Sequence, residues 1–91
     1  MSFKVTAAIW ADETLGPTDR LVLLCLADFA TDEGACAPSI ARLSRRTGLS
    51  ERAVQSAIKR LRGAGRLSLV RGAGPKGRNL FLLHASLNLE N

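Results

Sequence analysis

The stretch that decides the fold is APSIARLSRRTGLSERAVQSAIKRLRGAG, residues 37–65. Its spacing of apolar residues predicts two short helices, at about residues 40–47 and 51–62, joined by a tight turn. Glycines follow the second helix at positions 63 and 65, and we place the end of the helix at Gly65. Because the turn between the two helices is so short, its residues must fix the angle between them.

The turn has the residues that end one helix and begin the next. Ser39 and Ser50 each precede a predicted helix, at the position where a hydroxyl caps the first free N–H groups. Gly48 stands where a left-handed residue ends a helix, and Leu49 follows as the apolar residue that folds back onto that end. Glu51 in the first turn suits the positive end of the helix dipole. This arrangement is typical of a helix-turn-helix.

The second helix is predicted to have two different faces. At about 100° per residue, one face is an apolar stripe made by Val54, Ala57, Ile58 and Leu61. The opposite face carries Arg52, Gln55, Ser56 and Lys59. Such side chains can donate hydrogen bonds to base edges or phosphates in a DNA major groove. The alternative is a helical hairpin whose basic face is only solvated, but the Gly-Leu-Ser turn favours DNA binding.

The charge is distributed unevenly along a chain of 91 residues with net charge +5. Residues 1–39 contain two basic and six acidic residues, a net charge of −4, whereas residues 40–91 contain eleven basic and two acidic residues, a net charge of +9. The length fits one domain, spanning 1–91, and the 46% apolar content fits a globular protein. A basic half of this kind indicates a surface that binds a polyanion.

Several other classes of protein are disfavoured. No apolar run is long enough to span a membrane, and the first residues lack a secretion signal, so we expect a cytoplasmic protein. Cys25 and Cys36 form no CxxC pair and His84 is the single histidine, so we expect no metal site and no cofactor. Cys25, inside an apolar helix, is expected to be a small buried thiol. The sequence shows no nucleophile–base pair and no cluster of carboxylates, so we do not expect an enzyme.

The segment before residue 37 is predicted to supply the scaffold. Pro17 suits the first position of a helix that runs to about Thr31. That helix is apolar nearly all round, which indicates a central helix covered by other elements. Residues 1–15 could form a short strand or a helical turn. Trp10 is interpreted as a core or interface anchor, a dimer contact included.

The segment after residue 65 is predicted to form a β-hairpin. Two apolar runs, at residues 67–71 and 79–84, are separated by a glycine-rich turn, and the tip is basic. Residues 35–38 are expected to be extended because Ala37, which precedes Pro38, avoids the helical region. The tail at residues 85–91 could extend the sheet or join a partner.

This order of elements resembles the winged helix-turn-helix DNA-binding domain. The stretches PTDRLVLLCLADFATDEGACAPSIARLSRRTGLSERAVQSAIKRL and GAGRLSLVRG are similar to domains of this family in phage and plasmid replication proteins and in small bacterial regulators. The resemblance covers about residues 15–84, leaving 1–14 and 85–91 as flanking segments. It implies a mainly α fold with a small β-hairpin, an α+β winged helix-turn-helix with a three-helix core plus a wing.

The resemblance also implies which residues contact DNA. The residues that would contact bases are Ser50, Arg52, Gln55, Ser56 and Lys59. Wing contacts to phosphates would come from Arg71, Lys76 and Arg78, and contacts from the preceding helix would come from Arg42, Arg45 and Arg46. Relatives often have acids near positions 62 and 63, where this chain has Arg62 and Gly63, so Arg62 is added to the phosphate set.

The function implied is sequence-specific binding of double-stranded DNA, in transcription regulation or replication initiation. A homodimer is a reasonable expectation because DNA sites are often two-fold symmetric. No small-molecule ligand and no membrane partner is evident from the residues. The alternative function is a protein-interaction winged helix that does not bind DNA, in which Trp10 and the leucines of the tail would matter more than Lys59.

Overall fold

The computed structural model describes residues 3–84, and the tail at 85–91 lies outside the described residues. The described chain is mainly helical with one small antiparallel sheet, which confirms the predicted fold class. The four helices are α1 (Phe3–Ala11), α2 (Pro17–Phe29), α3 (Ile40–Thr47) and α4 (Glu51–Gly63). The three strands are β1 (Ala35–Cys36), β2 (Leu67–Val70) and β3 (Leu80–Leu83). Helix α1 and strand β1 are additions to the predicted three-helix core and hairpin.

Helix α2 lies at the centre, as its composition predicts. It packs against α1, α3, α4 and β1, and its buried residues are Val22, Leu23, Leu26 and Ala27. It ends at Phe29 rather than Thr31, because Ala30 is already extended and its N–H donates back to the carbonyl of Ala27. Its covering is incomplete, since 41% of the surface of Leu21 remains exposed.

Helix α1 decides between the two alternatives for residues 1–15. Val5, Ala8 and Ile9 are buried at the spacing of one helix face, and α1 packs on α2. The guanidinium of Arg20 on α2 donates to the carbonyls of Ile9 at 3.0 Å and Trp10 at 3.1 Å. These bonds satisfy carbonyls that a helix end leaves without partners.

The prediction that Trp10 anchors the core is wrong. Trp10 is 62% exposed because it follows the fully buried Ile9 and is therefore rotated by about 100° away from the buried stripe of α1. The interface part of that interpretation stays a prediction. The assignment of the buried thiol is also wrong: Cys36 on β1 is buried and Cys25 is only half-buried. Burial raises the pKa of the Cys36 thiol to about 11.

The sheet has the strand order β1–β3–β2, and both pairs are antiparallel. Cys36 pairs with Phe81 on one side of β3, and Leu67 pairs with Leu83 on the other. Phe81 and Leu83 alternate with half-buried residues and face the core. The predicted hairpin is confirmed to within about a residue at each strand end, and β1 completes the sheet because the predicted extended segment pairs with β3.

A polar network joins the end of α1 to the beginning of the hairpin. Asp12 forms an ion pair with Arg66, and both side chains are mostly buried, with 10% and 18% exposed. Arg66 also donates to the hydroxyl of Thr14 at 2.8 Å. Hydrogen bonds from Thr14, followed by the charges of Arg66 and Arg20, hold the pKa of Asp12 below its ordinary value although burial opposes them.

The first prediction compares one residue type in two environments. Leu61→Ala removes a side chain that is 1% exposed, so we expect the free energy of unfolding to fall by about 2–5 kcal/mol. Leu21→Ala removes a side chain that is 41% exposed, so we expect a loss below about 0.5 kcal/mol. Urea unfolding at low protein concentration, followed by circular dichroism, measures both. Equal losses would contradict the packing described.

The second prediction concerns Asp12 and acid. Because its pKa is lower in the folded state, its carboxylate stabilises the fold above its ordinary pKa of 3.8, and this contribution is lost as the pH falls through the lowered value. Asp12→Asn should therefore be less stable than the natural chain at neutral pH, and the difference should shrink below about pH 4. Urea unfolding across this pH range measures it. Glu13→Gln, at an exposed neighbour, is the control; a parallel acid loss in Asp12→Asn would contradict the assignment.

Candidate nucleic-acid interface

The two serines predicted as caps begin the two helices of the motif. The hydroxyl of Ser39 accepts a hydrogen bond from the N–H of Arg42 at 3.1 Å. The hydroxyl of Ser50 accepts one from the N–H of Ala53 at 3.1 Å. Both predictions are confirmed, and both helices begin at the predicted residue because a capped N-terminus needs only residues three apart in sequence.

The turn between α3 and α4 is fixed by hydrogen bonds within five residues. Gly48 has φ of +79°, a left-handed conformation that residues with a Cβ rarely adopt. Its N–H donates to the carbonyl of Ser44 at 2.9 Å, and the hydroxyl of Ser44 donates to the carbonyl of Leu49 at 2.6 Å. The hydroxyl of Thr47 accepts from the N–H of Leu49 at 3.2 Å. The angle between the helices is therefore set by local chemistry.

Helix α4 is oriented by its apolar stripe. Its buried residues are the predicted four, Val54, Ala57, Ile58 and Leu61. The helix ends at Gly63, and Gly65 beyond it is left-handed, with φ of +76°. The N–H groups of Gly65 and Arg66 donate to the carbonyls of Arg62 and Leu61, which closes the last turn. The prediction that Gly65 stops the helix is thus confirmed: it is the left-handed residue just beyond the last helical residue, Gly63.

The face of α4 opposite the stripe is open to solvent. All of the predicted base-contacting residues are exposed, as is Arg62: the set on α4 and its cap is Ser50, Arg52, Gln55, Ser56, Lys59 and Arg62. These groups lie along one helix and can reach into a groove about as wide as a helix. The hydroxyl oxygen of Ser50 already accepts the capping hydrogen bond from the N–H of Ala53. Its own hydrogen is still available for donation to DNA.

The three arginines of α3 are brought together, but they are not equivalent. Arg42, Arg45 and Arg46 line one concave site of about 270 Å³. The guanidinium carbons of Arg42 and Arg46 lie 5.3 Å and 4.9 Å from the centre of the Phe29 ring, which restricts both side chains through cation–π attraction. Arg46 also pairs with Asp28 at 3.0 Å, so part of its charge is already compensated.

The wing is a compact loop that lies against the beginning of the helix-turn-helix. The N–H of Gly74 donates to the carbonyl of Arg78 at 2.7 Å, and the loop between them contains a short 3-10 turn, Pro75–Gly77. A Cβ at Gly74 would lie 2.9 Å from the Cβ of Ala37, so only glycine permits this close approach. Arg71, Lys76 and Arg78 are all exposed on the loop.

A cleft separates α4 from the wing. Its volume is about 430 Å³, and it is lined by side chains from the start of α3, from α4 and from the hairpin. Gln55 of α4 and Arg78 of the wing both line it, together with the buried apolar side chains of Ile58 and Phe81. Of the three wing cations, Arg78 is therefore the one placed beside α4, whereas Arg71 and Lys76 lie outside the cleft.

Comparison with known proteins identifies this arrangement. The helix-turn-helix domain family matches residues 13–67, which include α2, α3 and α4. The chain belongs to the helix-turn-helix domain family. The match ends where the wing begins, and the described hairpin supplies the part that makes the fold a winged helix-turn-helix.

One relative and one solved structure are similar to this chain. Protein YmfN of Escherichia coli K12 is 37% identical over 71 residues, which are 75% of this chain but only 16% of YmfN. The fold is similar to that of BpsR of Bordetella bronchiseptica, with a TM-score of 0.56 and 21% identity over 96% of this chain and 64% of that one. The BpsR structure concerns regulation of its DNA binding by 6-hydroxynicotinic acid.

The basic residues of the second half of the chain fall into two groups, those that form an ion pair with an acid and those that do not. Three of them pair with acids of the first half of the chain: Arg46 with Asp28, Arg60 with Asp19, and Arg66 with Asp12. Arg60 forms two short bonds to Asp19, at 2.7 Å and 3.0 Å, which raise its pKa. Among the residues described, the remaining cations of the predicted site form no ion pair with an acid: Arg42, Arg45, Arg52, Lys59, Arg62, Arg71, Lys76 and Arg78.

Sequence reasoning missed the side chains that support the site from other segments. Phe29 orders two arginines that lie 13 and 17 positions further along the chain, and Ala37 meets the wing through Gly74. No local pattern marks either residue, because both act on groups distant in sequence. The described residues contain no group of three or more metal-ligating side chains, and no helix among them is long and apolar enough to cross a membrane.

Proposed function

We propose that this chain binds double-stranded DNA in a sequence-specific manner, with α4 in the major groove. The observation that carries the proposal is the division of α4: its four apolar side chains are buried, and the face opposite them exposes hydrogen-bond donors. The two cations of that face, Arg52 and Lys59, form no ion pair with an acid among the described residues, whereas Arg60 is held by Asp19. Membership of the helix-turn-helix family supports the DNA partner. No cofactor and no catalysis is part of the proposal.

The contacts divide into two classes. Base contacts are assigned to α4 and its cap, through Ser50, Arg52, Gln55, Ser56 and Lys59. Phosphate contacts are assigned to Arg42, Arg45, Arg46 and Arg62 on the helices and to Arg71, Lys76 and Arg78 on the wing. Within the second class, Arg46 should contribute least because Asp28 already holds it. Arg78, which lines the same cleft as Gln55, should contact the backbone next to the bases that Gln55 contacts.

Two settings fit such a protein in the cytoplasm: transcription regulation and replication initiation. The regulated DNA binding described for BpsR is compatible with the first. Selection of bound duplexes from a random pool is the experiment that tests the proposal. A selected sequence found at promoters supports regulation, and one found at a replication origin supports initiation. Palindromic products indicate two copies per site, whereas recovery of no preferred sequence would overturn sequence-specific binding.

The third prediction separates base reading from phosphate binding. Gln55→Ala removes an amide that can bond both N6 and N7 on the major-groove edge of adenine, so we expect a loss of about 1–3 kcal/mol at one base pair of the selected site and little change on unrelated duplexes. Fluorescence anisotropy on the selected site, its single-base variants and an unrelated duplex measures this. If Gln55→Ala weakens every duplex alike, Gln55 does not read a base.

The fourth prediction uses two arginines in the last turn of α4. Arg62 has no ion pair with an acid among the described residues, whereas Arg60 is held by Asp19. Arg62→Gln should weaken binding to all duplexes and lower the slope of log affinity against log salt by about 0.9. Arg60→Gln, the matched control, should leave that slope unchanged. Anisotropy titrations at several salt concentrations measure both, and equal changes in slope would contradict the assignment of Arg62.

One observation favours a second candidate function. Trp10 and Leu21 are large apolar side chains exposed on α1 and α2, and aromatic residues such as Trp10 are enriched where proteins meet. In a protein-interaction module these residues would carry the function and the basic face would not. Absence of binding to any duplex at low salt, with the fold intact by circular dichroism, would favour this candidate over DNA binding.

A further inference from the structure

A shallow groove lies between α1, α2 and the end of α3. It has a volume of about 330 Å³, and the residues that line it include Trp10, Leu21, Leu24, Cys25, Asp28 and Arg46. We call it the α1–α2 groove. None of the residues that line it belongs to α4 or to the wing, so the groove is separate from the proposed base-contacting surface.

The groove contains most of the exposed large apolar surface. Three large hydrophobic residues are exposed in the part of the chain that the structure describes, namely Trp10 at 62%, Val70 at 43% and Leu21 at 41%. Two of them lie in the groove beside the half-buried Leu24 and Cys25. A tryptophan is costly to leave in water and is among the residues that contribute most when an interface forms.

We infer that the α1–α2 groove is the surface through which two copies of this chain associate. Charge supports this arrangement. Among the residues whose side chains the structure describes, the charged ones that line the groove are Asp28 and Arg46, one of each sign, so two grooves placed face to face do not repel through these residues. In a two-fold contact each copy presents the same patch, and Arg46 of either copy can bond Asp28 of the other as well as its own.

The cationic surfaces outside the groove, namely the exposed face of α4 and the wing, disfavour self-association. The exposed face of α4 and the wing carry Arg52, Lys59, Arg62, Lys76 and Arg78 without acidic partners among the described residues. Two copies that met through these faces would bring like charges together, which is unfavourable. Contact through the α1–α2 groove instead leaves both α4 faces open. The dimer does not depend on DNA binding, although it would supply the two-fold symmetry expected there.

The size of the groove sets the strength of the dimer. A stable protein interface uses about 20–30 residues from each partner, and fewer than ten of the described residues line this groove. We therefore expect an association that is weak and strongly dependent on concentration, with Trp10 of each copy inserted beside Leu21 and Leu24 of the other.

The test is sedimentation analysis without DNA, from low micromolar to near-millimolar concentration, combined with the fluorescence of Trp10. Because Trp10 is the single tryptophan, its emission should move to shorter wavelength as dimers form. Leu21→Glu should abolish both the dimer and the shift. Val70→Glu, a matched change at an exposed apolar residue outside the groove, should leave both intact. Circular dichroism confirms that both variants fold.

A mixing experiment tests the pairing of charges across the interface. Asp28→Arg and Arg46→Asp should each weaken self-association, because like charges then face each other. Mixed together, the two variants should form heterodimers well above the statistical fraction. A chain that stays monomeric throughout, a dimer that survives Leu21→Glu, or a purely statistical mixture would each overturn the inference. Because no DNA is present, none of these results depends on whether the proposed DNA binding is correct.

Discussion

The packing of the apolar stripe of α4 against α2 is the constraint on which the rest of the structure depends. Val54, Ala57 and Leu61 are almost fully buried in the same core as Val22 and Leu26. Since a helix has one buried stripe, this packing decides which side chains face outward. A rotation of α4 by one residue, about 100°, would bring Gln55 towards the core, so the orientation of the candidate interface is a direct consequence of core packing.

The uneven charge of the chain has a structural explanation. The acidic first half supplies Asp12, Asp19 and Asp28, and each forms an ion pair with one arginine of the basic second half. The pair Asp12–Arg66 is mostly buried, whereas Asp19 and Asp28 pair with exposed arginines. Exposed ion pairs add little to stability because water and salt screen them, so the main effect of these two pairs is on where positive charge remains. Among the described residues, these pairs compensate the arginines near α1 and α2 and leave the cations of the outer α4 face and the wing without acidic partners.

The wing, α3 and α4 behave as one surface because the wing is not a free loop. Gly74 lies against Ala37 immediately before α3, and β3 pairs with both β1 and β2. Strand β1 thus links the segment that precedes α3 to the hairpin that carries the wing. The backbone that carries Arg78 is therefore held close to the beginning of α3, and the proposed joint contact of Arg78 and Gln55 with DNA would depend on this placement.

The sequence by itself determined the elements whose chemistry is local. The caps at Ser39 and Ser50, the left-handed Gly48 and the two faces of α4 all depend on residues within about four positions of each other, and these were predictable. Only the tertiary structure decided that residues 3–11 form a helix, that β1 joins the sheet, that Trp10 is exposed and that Phe29 orders Arg42 and Arg46. These features depend on contacts between segments far apart in the chain, and no short-range pattern encodes which distant residue will lie opposite.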